Sequence, residues 1–210
     1  MTRLRVSWLC ALGLFSLAAP HVYGAAIASD DASTYSGGWT NGENNGSGFG
    51  PWQLTATSGS AGFFAFTSQN NGHGDGNIDT NSLSWGLFAN SGAESTAVRP
   101  FTAGGSNGSN ILGIGEQFMV SLDTGFIDSG NSVGISLQNS LGVNEFQFLF
   151  VGGQNDYSIK IGATTLDTGI GYTSAGMALA FTRGAGNSWN LTVTPNGGTT
   201  STFSDTTAGS

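Results

Sequence analysis

Cysteine is nearly absent from this chain of 210 residues: the single copy is Cys10. No disulfide can therefore form within it, which excludes a small stapled scaffold and leaves burial and hydrogen bonding to hold the fold. Basic residues are almost as scarce, at five Lys and Arg in all, and beyond residue 24 they are only Arg99, Lys160 and Arg183 against thirteen acidic residues, 3 against 13 or a net charge of −10. Three scattered cations cannot displace the counterions of a polyanion, so a nucleic-acid partner is excluded. Charged residues are 9% of the chain, so most of its surface is Gly, Ser, Thr and Asn.

Helical periodicity is missing too. Beyond the N-terminal segment no stretch of eleven residues carries an apolar stripe of helical period. There is no phosphate-binding glycine loop, zinc spacing or dinucleotide fingerprint. Gly104-Gly105-Ser106-Asn107-Gly108 spells a nucleophile elbow, but it sits in a Gly/Asn stretch with no helix after it, and His73, the one histidine beyond residue 24, precedes that serine. The match is chance in a glycine-rich chain.

The N-terminus has the layout of a secretory signal: Arg3 and Arg5, an apolar run from Val6 to Ala19 too short to span a membrane comfortably, then Val22-Tyr23-Gly24. Cleavage is expected after Gly24 or Ala26. Ser7-Trp8-Leu9 ahead of Cys10 puts tryptophan where a lipoprotein signal wants a small residue. The expectation is thus a single domain over residues 25–210, secreted or on the cell surface, with no integral membrane span.

Within it, period-two alternation dominates. Phe118, Val120 and Leu122, then Val133, Ile135 and Leu137, then Phe146, Phe148 and Phe150 form three half-buried runs with turn chemistry between them, which predicts an antiparallel meander over residues 116–153. Trp52 to Thr57 and Gly62 to Thr67 are read as a hairpin. Further strands are expected at Ser84 to Asn90, at Ser95 to Thr102 with Pro100 demoting it to an edge, and around Ile159, Leu179 and Leu191. Short strands at regular spacing predict an all-β, antiparallel two-sheet sandwich or barrel.

Two loops and one strand face carry candidate chemistry. Gly37 to Trp52 is rich in Gly and Asn and has a tryptophan near each end. Asp75, Asn77, Asp79 and Asn81 place oxygen ligands at alternate positions, as a calcium loop does, although Thr80 and Gly86 stand where an EF-hand loop needs Gly and Glu. The expected cofactor is none, or Ca2+ at those four residues. Glu145 and Gln147 lie on the face of their strand opposite the three phenylalanines, the face that would line a groove.

The string Gly37 to Trp52, Asp75-Gly-Asn-Ile-Asp79 followed by Ser84-Trp85-Gly86-Leu87-Phe88-Ala89-Asn90, and Asp123-Thr-Gly-Phe-Ile-Asp128 resemble a family of exported bacterial proteins, many of the PEP-CTERM sorted type. The resemblance implies a concanavalin A-like jelly roll, the architecture of legume lectins, laminin G modules and laminarinase-type glucanases. No Pro-Glu-Pro signal follows Ser210, and the Ser/Thr stretch there suggests that the last strand is lacking. One fold hosts binders and hydrolases alike. The resemblance, with the Asn, Asp and aromatic residues near the loops, points to a non-catalytic, lectin-like carbohydrate-binding module with extracellular polysaccharide as partner. Trp39 and Trp52 would stack on sugar, Asn41, Asn44 and Asn45 would bond hydroxyls, and Asp75 and Asp79 would contact sugar or hold calcium. The alternative is a structural or adhesive surface protein, suggested by low charge and abundant Gly and Asn. A second alternative is a laminarinase-like glycoside hydrolase, which needs two facing carboxylates where Glu145, Gln147 and Leu149 supply one. Exposure of Trp39, Trp52, Tyr157 and Tyr172 discriminates: buried rings weaken the binding reading.

Overall fold

A computed structural model describes residues 26–57, 59–71, 78–90, 92–102 and 111–206. The signal segment, Asp75, Asn77, His73 and the Gly104 to Gly108 string lie outside them. Among the described residues the chain is all-β with antiparallel pairing, interrupted only by short 3-10 turns. The strands are β1 (Gln53–Ala56), β2 (Ala61–Phe66), β3 (Ser84–Ala89), β4 (Ser95–Val98), β5 (Gln117–Leu122), β6 (Ser132–Gln138), β7 (Asn144–Val151), β8 (Asp156–Ile161), β9 (Thr164–Gly171), β10 (Met177–Arg183), β11 (Ser188–Pro195) and β12 (Ser201–Thr206).

Two four-stranded sheets, in the orders β12-β11-β10-β5 and β6-β7-β8-β9, enclose the larger hydrophobic core. Alternation decides which side chains enter it. On β7, Phe146, Phe148 and Phe150 are buried while Glu145, Gln147, Leu149 and Val151 lie on the other face. Leu179 and Phe181 of β10 and Trp189, Leu191 and Val193 of β11 meet them from the opposite sheet, with Phe146 4.7 Å from Phe181 and 5.3 Å from Trp189 between ring centroids. Each of these rings, taken fully from water, contributes roughly 2–3 kcal/mol. The packing is therefore that of a sandwich.

A second, smaller core is built from Tyr35, Trp39 and Leu54, with Trp52, Phe63, Ala65, Trp85 and Ala97 packed against it. It lies beneath two two-stranded ribbons, β1-β4 and β2-β3. Phe101 links the two parts, its ring 5.4 Å from Phe49 and 6.0 Å from Phe118.

Two expected pairings are corrected. The runs of the predicted meander are all strands and β6 pairs with β7, but β5 pairs with β10 in the facing sheet. The connection from Leu122 to Ser132 is too long for a tight hairpin. It crosses the end of the sandwich, where Thr124 is fully buried with its Oγ1 2.9 Å from the Tyr157 hydroxyl. Likewise β1 and β2 do not form a hairpin. β1 pairs with β4 through Leu54 and Ala97, and β2 pairs with β3, which puts Phe63 and Ala65 beside Leu87 and Trp85 over the smaller core. The Ser/Thr stretch near the end of the chain is itself a strand, β12, paired with β11 from Ser188 to Val193.

Candidate functional site

The Gly37 to Trp52 loop, where the sequence places the ligand residues, is folded in on itself. Trp39 is 4% exposed, with its ring 5.0 Å from Trp52 and 6.0 Å from both Phe63 and Trp85. Asn41, Asn44 and Asn45 are exposed, and one polar atom of each amide is engaged within the protein. Asn41 Oδ1 accepts from the Leu54 N–H at 2.9 Å, Asn44 Oδ1 from Arg99 Nη2 at 2.7 Å, and Asn45 Nδ2 donates to the Thr34 carbonyl at 2.8 Å. Trp52 is half-buried, and its Nε1 donates to the Tyr35 hydroxyl at 3.0 Å.

The organiser is a residue that sequence reasoning did not connect to the loop. Arg99, just after β4, forms an ion pair with Asp30 in which both side chains are almost fully buried. Its Nε donates to the Gly50 carbonyl at 2.7 Å, and its guanidinium lies 5.1 Å from the Phe49 ring and 5.0 Å from the Trp52 ring. Tyr35 completes the node by donating to Asp30 Oδ2 at 2.7 Å. Burial, then that hydrogen bond, pushes the Tyr35 phenol above its ordinary range, against the opposing pull of Trp52 and Arg99. A guanidinium with this many partners fixes a loop whose glycines alone could not.

Of the other discriminating rings, Tyr157 is buried and stacks on Phe148 at 5.1 Å. Tyr172 is 38% exposed, its hydroxyl reaching the carbonyls of Thr124 and Gly125 at 3.2 and 3.3 Å. No pair of these four rings forms an exposed platform.

Of the calcium candidates, Asp79 and Asn81 are described. Asp79 Oδ2 accepts from Thr67 Oγ1 at 2.6 Å and Oδ1 from the Ser68 N–H at 2.8 Å, so both oxygens cap the end of β2. Burial pushes its carboxyl upward, but hydrogen bonds from Thr67, Ser68 and Ser84 outweigh it and hold the group below the ordinary carboxylate range. Asn81 occupies a two-residue turn with Ser82, both at positive φ, between Thr80 and Leu83. Among the described residues no three His, Cys, Asp or Glu side chains converge as a metal site. Glu145 Oε1 accepts from Asn139 Nδ2 at 2.7 Å, and Gln147 Nε2 donates to Ser136 Oγ at 3.2 Å on the outer face of β7.

The structure singles out another surface, the outer face of the β2-β3 ribbon. Register sets Gly62 opposite Phe88, Phe64 opposite Gly86, and Phe66 opposite Ser84. Each glycine lies under the ring from the other strand: a Cβ on Gly62 would come within 2.8 Å of the Phe88 ring, and one on Gly86 would collide with the Phe64 ring. The two rings lie over backbone, 6.5 Å apart and inclined by 33°. Phe66 is 52% and Phe88 49% exposed. Ser84 is buried, with Oγ donating to the Phe66 carbonyl at 3.0 Å and also bonded to the Asp79 carboxylate at this end of the ribbon. The sequence held the signal, since Phe64 and Phe66 alternate with Phe63 and Ala65, and Phe88 alternates with Leu87. A ribbon apolar on both faces has one more face than its own core covers. No family model matches the chain, and neither a curated protein nor a solved structure matches it.

Proposed function

We propose that the protein is an exported, non-catalytic carbohydrate-binding module, and that sugar binds on the aromatic face of the β2-β3 ribbon rather than in the Gly37 to Trp52 loop. The observation that carries this reading is the pair of phenylalanine rings laid over glycines. A sugar's C–H face stacks on the face of an aromatic ring, and Phe64, half-buried, and Phe88, 49% exposed, lie side by side over the glycines of the ribbon. Export is supported by the signal-like N-terminus, and no helix among the described residues is long and apolar enough to cross a membrane. The concanavalin A-like jelly roll belongs to the same proposal, supported by the facing antiparallel sheets.

A structural role at the cell surface is a second reading, favoured by the burial of Trp39 in the smaller core and by the bonds that tie Asn41, Asn44 and Asn45 to Leu54, Arg99 and Thr34. A glycan-array screen of the protein, with and without calcium, separates the two. The binding reading expects a signal that Phe88→Ala abolishes while Asn44→Ala leaves it. An array blank for the folded wild type leaves the structural role.

A further inference from the structure

Independently of what the protein binds, we infer that Asn196 is a site of spontaneous deamidation, where the folded chain converts an amide to a carboxylate, and that the fold shields Asn41 and Asn45 from the same reaction. Glycine follows asparagine at Asn41, Asn45, Asn71, Asn107 and Asn196. Such a pair is reactive because glycine has no side chain to hinder attack by its backbone nitrogen on the amide carbon before it. Gly72 and the Asn107-Gly108 pair lie outside the described residues, which leaves the pairs at Asn41, Asn45 and Asn196 to compare.

The reaction balances with water alone. The Gly197 nitrogen gives up its proton and bonds to Asn196 Cγ, the side-chain nitrogen leaves as ammonia, and a cyclic imide closes. Water then opens the ring at either carbonyl, to aspartate or to isoaspartate, in which the main chain runs through the former side chain. In a folded protein the glycine N–H must therefore be free of partners, and the amide free to swing onto the backbone.

Asn196 meets both conditions. It and Gly197 are the middle residues of a turn closed by the Gly198 N–H on the Pro195 carbonyl at 2.9 Å, and Gly197 takes a φ of 70°. A turn closed in this way leaves its central peptide unused, and that peptide is the Asn196-Gly197 bond. The Asn196 backbone N–H donates to the Gly176 carbonyl at 2.9 Å, while its side chain is exposed and makes no hydrogen bond among the described residues.

The other two pairs are held. Asn41 Oδ1 accepts from the Leu54 N–H at 2.9 Å and the Gly42 N–H donates to the Trp52 carbonyl at 2.8 Å, so amide and attacking nitrogen are both engaged. Asn45 donates through Nδ2 to the Thr34 carbonyl at 2.8 Å and through its backbone N–H to the Tyr35 hydroxyl at 3.2 Å, and its carbonyl accepts from Arg99 Nη2 at 3.1 Å. An Asp30 carboxylate oxygen lies 2.6 Å from the position of a Cβ on Gly46, where its charge opposes loss of the proton from the Gly46 nitrogen. The bonds that shape the Gly37 to Trp52 loop thus also preserve its amides. Conversion at Asn196 instead places a negative charge, and in the isoaspartate form an extra carbon, in the link from β11 to the edge strand β12.

The test is peptide mapping by mass spectrometry, with fragmentation to assign each site, after the folded protein and the same protein in concentrated urea are kept warm in mildly alkaline buffer. In the folded protein Asn196 is expected to gain the mass of the amide-to-acid change about tenfold faster than Asn41 or Asn45. In urea the three rates should come together. Asn196→Gln, whose longer side chain closes the ring far more slowly, should abolish the gain in its peptide with unchanged circular dichroism. Conversion of Asn41 or Asn45 in the folded protein as fast as that of Asn196 would overturn the shielding. An Asn196 that is stable in the folded protein but reacts in urea would overturn the site, since the turn would then prevent the attack. A ranking that persists in urea would overturn the role of the fold and assign the difference to local sequence. None of these outcomes depends on glycan binding, so failure here leaves the proposed function untouched.

Discussion

Arg99 and Asp30, 69 positions apart in sequence, form a buried ion pair that ties β4 to the N-terminal segment. Phe49 and Trp52 lie against the guanidinium and Tyr35 donates to the carboxylate, so each charge has partners in its buried site. Removing one partner strands the other. Arg99→Ala is expected to cost about 3–5 kcal/mol, and Asp30→Ala a similar amount. Denaturant titration of both single variants and the double checks this: the double variant should lose clearly less than the sum of the two.

Trp39→Ala separates a core ring from a ligand ring. Its contacts with Trp52, Phe63 and Trp85 predict a loss of about 3–5 kcal/mol of stability. Thermal melting beside wild type decides the matter. An unchanged melting temperature would mean that the ring does not support the smaller core.

Phe148→Ala should be at least as severe for the sandwich. The ring is 0% exposed and stacks on Tyr157 at an interplanar angle of 8°. A loss of about 3–5 kcal/mol is expected, with a large part of the total stability gone. Equilibrium unfolding in urea measures it.

Asp79 gives a pH dependence of defined sign. Its carboxyl is held below the ordinary range in the folded state, so its contribution to stability is present above the unfolded value of about 4 and is lost as pH falls through the lower folded value. Asp79→Asn should lower the melting temperature at neutral pH, and the gap to wild type should close under acid. Differential scanning calorimetry from pH 7 down to about 2 follows that convergence.

Strands with one face in the larger core were legible because burial writes itself into alternation, as at Phe146, Phe148 and Phe150. β9 and β12 were not. Thr164 to Gly171 and Ser201 to Thr206 are edge strands that pair on one side only, and few of their side chains enter the core. Their backbone bonds to a neighbour rather than their hydrophobicity make them strands. Partner choice was hidden for a related reason. Nothing local to Phe118, Val120 and Leu122 distinguishes β6 from β10 as a neighbour.

The candidate site shows the same limit. Aromatic and amide residues near Gly37 to Trp52 were visible as types, but whether they faced ligand or core depended on Arg99, Asp30 and Tyr35, distant residues with no local mark. The ribbon face was visible as alternation. Which glycine met which phenylalanine was a matter of register.

The central claim is that Phe64 and Phe88 form the binding surface. Affinity electrophoresis through gels containing hydroxyethylcellulose, a soluble uncharged polysaccharide, tests it most directly for wild type and the Phe64→Ala/Phe88→Ala variant. The account predicts that the polymer retards the wild type and leaves the variant at its mobility in the empty gel, with both folded by circular dichroism. Equal retardation of the two proteins, or none of the wild type, would contradict it.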